Sequence, residues 1–96
     1  MMNKKQLLIQ YLDDNLFNPI LHSPHVSYQV KHDFQHIRDL LQDFSAKGIL
    51  NFVWNVLGNA DSEIIFYNRL IDEGFSNYNE VLATFKNKFT YDWLIS

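Results

Sequence analysis

All four histidines of this chain, His22, His25, His32 and His36, fall in one short stretch that also holds Asp39 and Asp43. Imidazole nitrogens one helical turn apart can share a metal ion, as His and carboxylate ligands do in zinc sites. If a helix starts at Pro24, then His25, His32, His36, Asp39 and Asp43 form one stripe, centred roughly 140° from the apolar positions of that helix. Such a stripe faces solvent or a partner, where the outer shell that orients metal ligands is hard to build. No metal site is therefore assigned; His32, His36 and Asp39 are the ligands to expect if one exists. Imidazole titrates near pH ~6.5, which makes the same stripe a candidate pH-responsive surface. Ordinary solvated surface histidines are the preferred reading of it.

Other reactive constellations are thin. The dipeptide His32-Asp33 resembles the signature pair of the HD-type metal-dependent phosphohydrolases, but nothing beyond the dipeptide matches. It keeps a metal-dependent hydrolase only as a minor alternative. Asp13 and Asp14 are adjacent, so on a helix they point about 100° apart and cannot work on one substrate atom. Ser23, Ser45, Ser62 and Ser76 each precede a helical run, where N-capping explains them. There is no Gly-rich phosphate loop, and with Cys 0 there is no thiolate nucleophile or disulfide. No catalytic residue, cofactor or small-molecule substrate is expected, and the chain reads as non-enzymatic.

Nucleic acid is the next class to weigh. Glu73-Gly74-Phe75-Ser76 joins two helical runs much as the turn of a helix-turn-helix does, giving a DNA-binding alternative over residues 61–88. Its second helix would offer Asn77, Asn79, Thr84, Lys86, Asn87 and Lys88 to a groove. Against it, Lys+Arg 8 and Asp+Glu 11 leave a net charge of -3, and the basic residues are scattered along the chain. Glu80 also sits within the recognition helix, where phosphate would repel it. Nucleic-acid binding is therefore the second choice.

The aromatic load points elsewhere. Two Trp, five Tyr and eight Phe are many for 96 residues, and a chain of this size buries only roughly 60–65% of its unfolded surface. Some rings must stay outside, and Trp and Tyr are favoured at interface centres. Tyr91, Trp93, Leu94 and Ile95 are the leading candidates for partner or self-contact, followed by Tyr11 and Phe17. The competing expectation is that this C-terminal segment closes over an open end of the same bundle.

The elements that must position these residues follow from caps and periodicity. Asn3 and Gln6 fit a capping box opening a helix with Leu8, Leu12 and Leu16 on one face; Asn18-Pro19 is expected to stop it. Ser23-Pro24 reads as the N-cap and first position of a second helix, with Val26, Val30, Phe34, Ile37, Leu41 and Phe44 on its apolar face. Ser45 caps a third, residues 46–57, apolar almost all round apart from Lys47, Asn51 and Asn55. Asp61 or Ser62 caps a fourth, with Ile64, Tyr67 and Ile71. Ser76 opens a fifth, carrying Tyr78, Val81, Leu82, Phe85 and Phe89. No period-two alternation with hairpin turns occurs. The expected fold is all-α: one domain over residues 1–96, a compact bundle of four to five short helices around the central apolar helix 46–57.

Gln10, Asp13 and Asp14 interrupt the apolar start, no cleavage site follows, and no stretch approaches a membrane span. The ten Asn residues form no Asn-x-Ser/Thr sequon. A cytoplasmic chain is expected, and the Asn-, Ile-, Phe- and Lys-leaning composition suits an AT-rich bacterial or mobile-element genome. The expected function is a small non-catalytic interaction or regulatory protein whose partner is another protein or, as a homodimer, itself.

Overall fold

The computed structural model describes residues 3–57 and 77–96. Five helices run through them, and no strand occurs among the described residues. The chain is an all-α bundle. The fourth expected helix, with Ile64, Tyr67 and Ile71 and its Glu73-Gly74 ending, lies outside the described residues, as does Ser76.

Helix α1 covers residues 4–21 as Lys4–Leu12, a widened π-turn Asp13–Phe17, and a last turn Asn18–Leu21. Its start is the expected capping box: Asn3 Oδ1 accepts the Gln6 amide at 2.8 Å, and Gln6 Oε1 accepts the Asn3 amide at 2.9 Å. The expected stop at Asn18-Pro19 is overturned. A proline inside an α-helix clashes with the carbonyl four residues back. Here the turn before it is π-helical, and the Asn18 amide reaches the Asp13 carbonyl five residues back. The wider turn makes room for the ring. Asn15 Nδ2 donates to the Tyr11 carbonyl at 2.9 Å, supplying a side-chain donor inside that turn. The helix then continues to Leu21, and Ile20 is fully buried.

Helix α2, Tyr28–Leu41, begins later than Ser23-Pro24 suggests. Ser23 Oγ accepts only the His25 amide in a local turn, while Ser27 Oγ accepts the Val30 amide and is the true N-cap. The late start lets Val26 turn inward from the preceding loop, where it is 5% exposed. The helix also ends before Phe44. The Asp43 and Phe44 amides bond to carbonyls three residues back, tightening the chain out of the α-form. His25 and Asp43 therefore lie off the helix, and the stripe shrinks to His32, His36 and Asp39.

Helix α3, residues 46–57, joins Ala46–Phe52 to a second π-turn, Val53–Leu57, with Ser45 Oγ capping the Gly48 amide at 3.1 Å. Ile49, Leu50 and Val53 are fully buried on its inner face, while Lys47 and Asn55 stay exposed. Helix α4, Tyr78–Lys88, buries Tyr78, Val81, Leu82 and Phe85, and Phe89 follows them into the core. Helix α5, Tyr91–Ile95, is one short piece capped by Thr90 Oγ1 on the Trp93 amide at 3.0 Å.

The polar ties are few and specific. Arg38 of α2 grips Asp13 of α1 with Nε to Oδ1 at 2.8 Å and Nη2 to Oδ2 at 3.3 Å. That two-pronged pair holds the guanidinium pKa above its ordinary value, chiefly through the hydrogen bond to Asp13. Lys5 Nζ donates to the Gln42 carbonyl at 2.6 Å, closing the C-terminus of α2. Among the described residues, no polar or charged residue is buried and no buried side-chain polar atom lacks a partner.

Candidate functional site

The sequence expectations for chemistry separate at once in space. His32 and His36 are exposed, and His32 Nδ1 stands 3.9 Å from Asp33 Oδ1. Asp39 is also exposed and accepts the Gln35 amide at 3.0 Å. Among the described residues, no group of three or more His, Asp or Glu side chains gathers closely enough to hold a metal. His32, His36 and Asp39 thus do not form the cluster that a metal-dependent hydrolase would need. Asp13 and Asp14 diverge as their adjacency requires, Asp13 to Arg38 and Asp14 to an outer groove.

That groove is where the aromatic surplus surfaces. It measures about 490 Å³ and lies between α1, which supplies Leu7, Gln10, Tyr11, Asp14 and Asn15, and Lys88, Phe89 and Trp93 from the end of α4 and from α5. Its floor is a chain of rings. Tyr11 lies 5.8 Å from Phe85 and 5.5 Å from Phe89, and Phe89 meets Trp93 edge-on at 4.8 Å. Such tilted and edge-on pairs are the favoured aromatic geometries. Lys88 Nζ stands over Tyr11 and Phe89 at 5.8 and 5.6 Å, Lys86 over Trp54 at 5.3 Å, and Lys4 over Trp93 at 5.4 Å. Both lysines expected on a DNA-reading face therefore stand over aromatic rings of their own chain.

Helix α5 is held in place largely from the other end of the sequence. Lys4 Nζ donates to the carbonyl oxygens of Trp93 at 2.8 Å and Leu94 at 2.7 Å, and to Ser96 O at 2.7 Å. A cation placed at a helix C-terminus satisfies orphan carbonyls and complements the helix dipole. On the α3 side, Trp54 Nε1 donates to the Phe89 carbonyl at 3.2 Å, and the Tyr91 hydroxyl bonds to Asn51 Oδ1. Half-buried Trp93 and Leu94 pack on the core, whereas Tyr91 is 41% and Ile95 82% exposed. The C-terminal segment thus both closes the bundle and leaves part of itself outside.

Two of the named interface residues change standing. Phe17 is 1% exposed, packs 6.4 Å from Phe34, and belongs to the core, because the π-turn swings it inward with Leu16. Tyr11 stays at the groove but is anchored, its hydroxyl donating to the Val81 carbonyl at 2.9 Å. The groove is lined by four further residues that the sequence reading did not single out, Leu7, Gln10, Asp14 and Asn15. The available signal was Leu7 beside Leu8, one more apolar residue than a single buried stripe needs. Of the other residues considered for DNA, Asn77, Asn79 and Thr84 are exposed, and Thr84 hydrogen-bonds Tyr11. The first half of that unit, residues 61–76, lies outside the described residues.

Burial is the main reason that the Tyr11 phenol sits above its ordinary pKa of 10.0, with the Thr84 hydrogen bond pulling the other way. A group whose pKa is raised on folding contributes stability below its unfolded value and loses it as pH rises through the folded value. Stability should therefore fall between about pH 10 and the folded pKa, more in wild type than in Tyr11→Phe. Urea titrations of both proteins at pH 8 and pH 11 check this; equal losses in the two would assign the effect to other groups.

The described fold and groove define a small all-α bundle with an open aromatic cleft. Neither a protein-family model, a curated protein nor a solved structure gives a significant match to the chain. Among the described residues, no helix is long and apolar enough to cross a membrane.

Proposed function

We propose that this chain is a small non-catalytic interaction or regulatory protein, bacterial and cytoplasmic, whose working face is the groove between α1, α4 and α5. One observation carries this reading: aromatic rings that complete the core also floor an open cleft, with Leu7 40% exposed at its edge. Aromatic floors of this kind accept the apolar anchors through which protein partners bind. The DNA-binding alternative has less support, because Lys86 and Lys88 stand over rings of the chain itself.

A photo-crosslinking residue at exposed Gln10 tests the proposal. It should yield a discrete protein adduct in the native host, and Leu7→Glu in the same chain should abolish that adduct. Leu7 is 40% exposed, so this change should cost no more than about 1–2 kcal/mol, and a melting curve of the variant reports that cost separately from the adduct. Absence of any adduct, or an adduct indifferent to Leu7→Glu, contradicts the proposal.

A further inference from the structure

The groove carries one formal charge of each sign, on opposite walls. Asp14 stands on the α1 wall, its Oδ1 accepting the Gln10 amide at 2.9 Å. Lys88 stands on the α4 wall, its ammonium over the rings of Tyr11 and Phe89. Among the described residues Asp13 pairs with Arg38 and Asp33 lies near His32, and neither groove charge has an ionic partner there. Between them lies an apolar floor that any occupant would dehydrate, and dehydrating an unpaired charge is costly.

We propose that the occupant is a second copy of this chain, related by a two-fold axis so that Asp14 of each protomer meets Lys88 of the other. This rests on reading the groove as a protein-contact face, and names its partner. A two-fold interface uses the same patch on both subunits, so the patch must complement itself. A groove lined by one sign of charge would repel its own copy. A carboxylate on one wall and an ammonium on the other exchange places under the two-fold, giving two opposite-charge contacts around Leu7 and Trp93. Both charges are then paired as the apolar floor is covered, and like-charge juxtaposition is avoided.

Charge reversal tests the symmetry directly. In sedimentation equilibrium, Asp14→Lys alone and Lys88→Glu alone should each raise the dimer dissociation constant at least about tenfold, since each homodimer then carries two like-charge contacts. An equimolar mixture of the two variants should recover association near the wild-type level, because every contact in the mixed dimer again joins opposite charges. That recovery also shows both variants to be folded. A monomeric wild type overturns the proposal, as does a mixture no tighter than its components or a variant that dimerises like wild type. A monomer whose Gln10 crosslinker still captures a different protein removes the self-association proposal and leaves the interaction reading standing; loss of both results removes both.

Discussion

Phe85→Ala should destabilise the fold by about 3–5 kcal/mol, the usual cost of deleting a buried aromatic ring. Phe85 has no exposed surface and lies 5.0 Å from Phe89 and 5.8 Å from Tyr11, so its removal opens a cavity beneath the groove floor. The ring also stands between the core and the surface aromatics. Truncating it undermines Tyr11, whose hydroxyl holds the α4 backbone at Val81. Total stability of a domain is only about 5–15 kcal/mol, so the variant should melt at least about 12 °C lower. Phe85→Leu, nearer in volume, should cost less than about half as much. Urea and thermal unfolding check both, and a loss below about 1 kcal/mol for the alanine variant would contradict the packing described above.

The second large effect concerns α5. Lys4→Met keeps a long apolar stem but removes three charge-assisted donors from the Trp93, Leu94 and Ser96 oxygens. Hydrogen bonds to charged groups are worth about 1.5–3 kcal/mol when sheltered from water. The clasp is only partly buried, so about 2 kcal/mol for the three together is a suitable figure, equivalent to roughly thirty-fold in local opening. Helix α5 has five residues, none of them fully buried, so after that loss it is held chiefly by the Tyr91–Asn51 hydrogen bond and by Trp93 and Leu94 packing on the core. Amide hydrogen exchange at Leu94 and Ser96 should accelerate by about that factor, while α2 and α3 exchange as before. Lys4→Arg, which keeps a cation with several donors, should restore much of the protection. Uniform acceleration across all helices would mean that Lys4 supports the whole fold rather than the clasp.

The fold was legible wherever a local rule had no competitor. The Asn3/Gln6 box, the Ser45 cap and the buried face of α4 all follow from spacing alone, because each cap and its amide lie within one turn. Pro19 misled because the π-turn before it changes which carbonyl the ring would strike. Ser23 misled because Ser27 offers the same hydroxyl four residues later, and burial of Val26 decides between them. The groove was half legible. Trp93, Tyr91 and Ile95 are identifiable as surplus apolar residues near a chain end, but Phe17, expected at a contact face, is carried into the core by the π-turn it ends. The clasp was not legible at all: Lys4 meets carbonyl groups some 89 residues away, and no local pattern marks such a partner.

The proposed covering of the groove by a second copy of the chain makes oligomeric state the decisive property. Absolute molar mass by light scattering behind size exclusion, across a concentration series, addresses it with unmodified protein. The expected result is a mass that climbs from 11.4 kDa toward twice that value as concentration rises. A mass fixed at the monomer value over the whole series would contradict it.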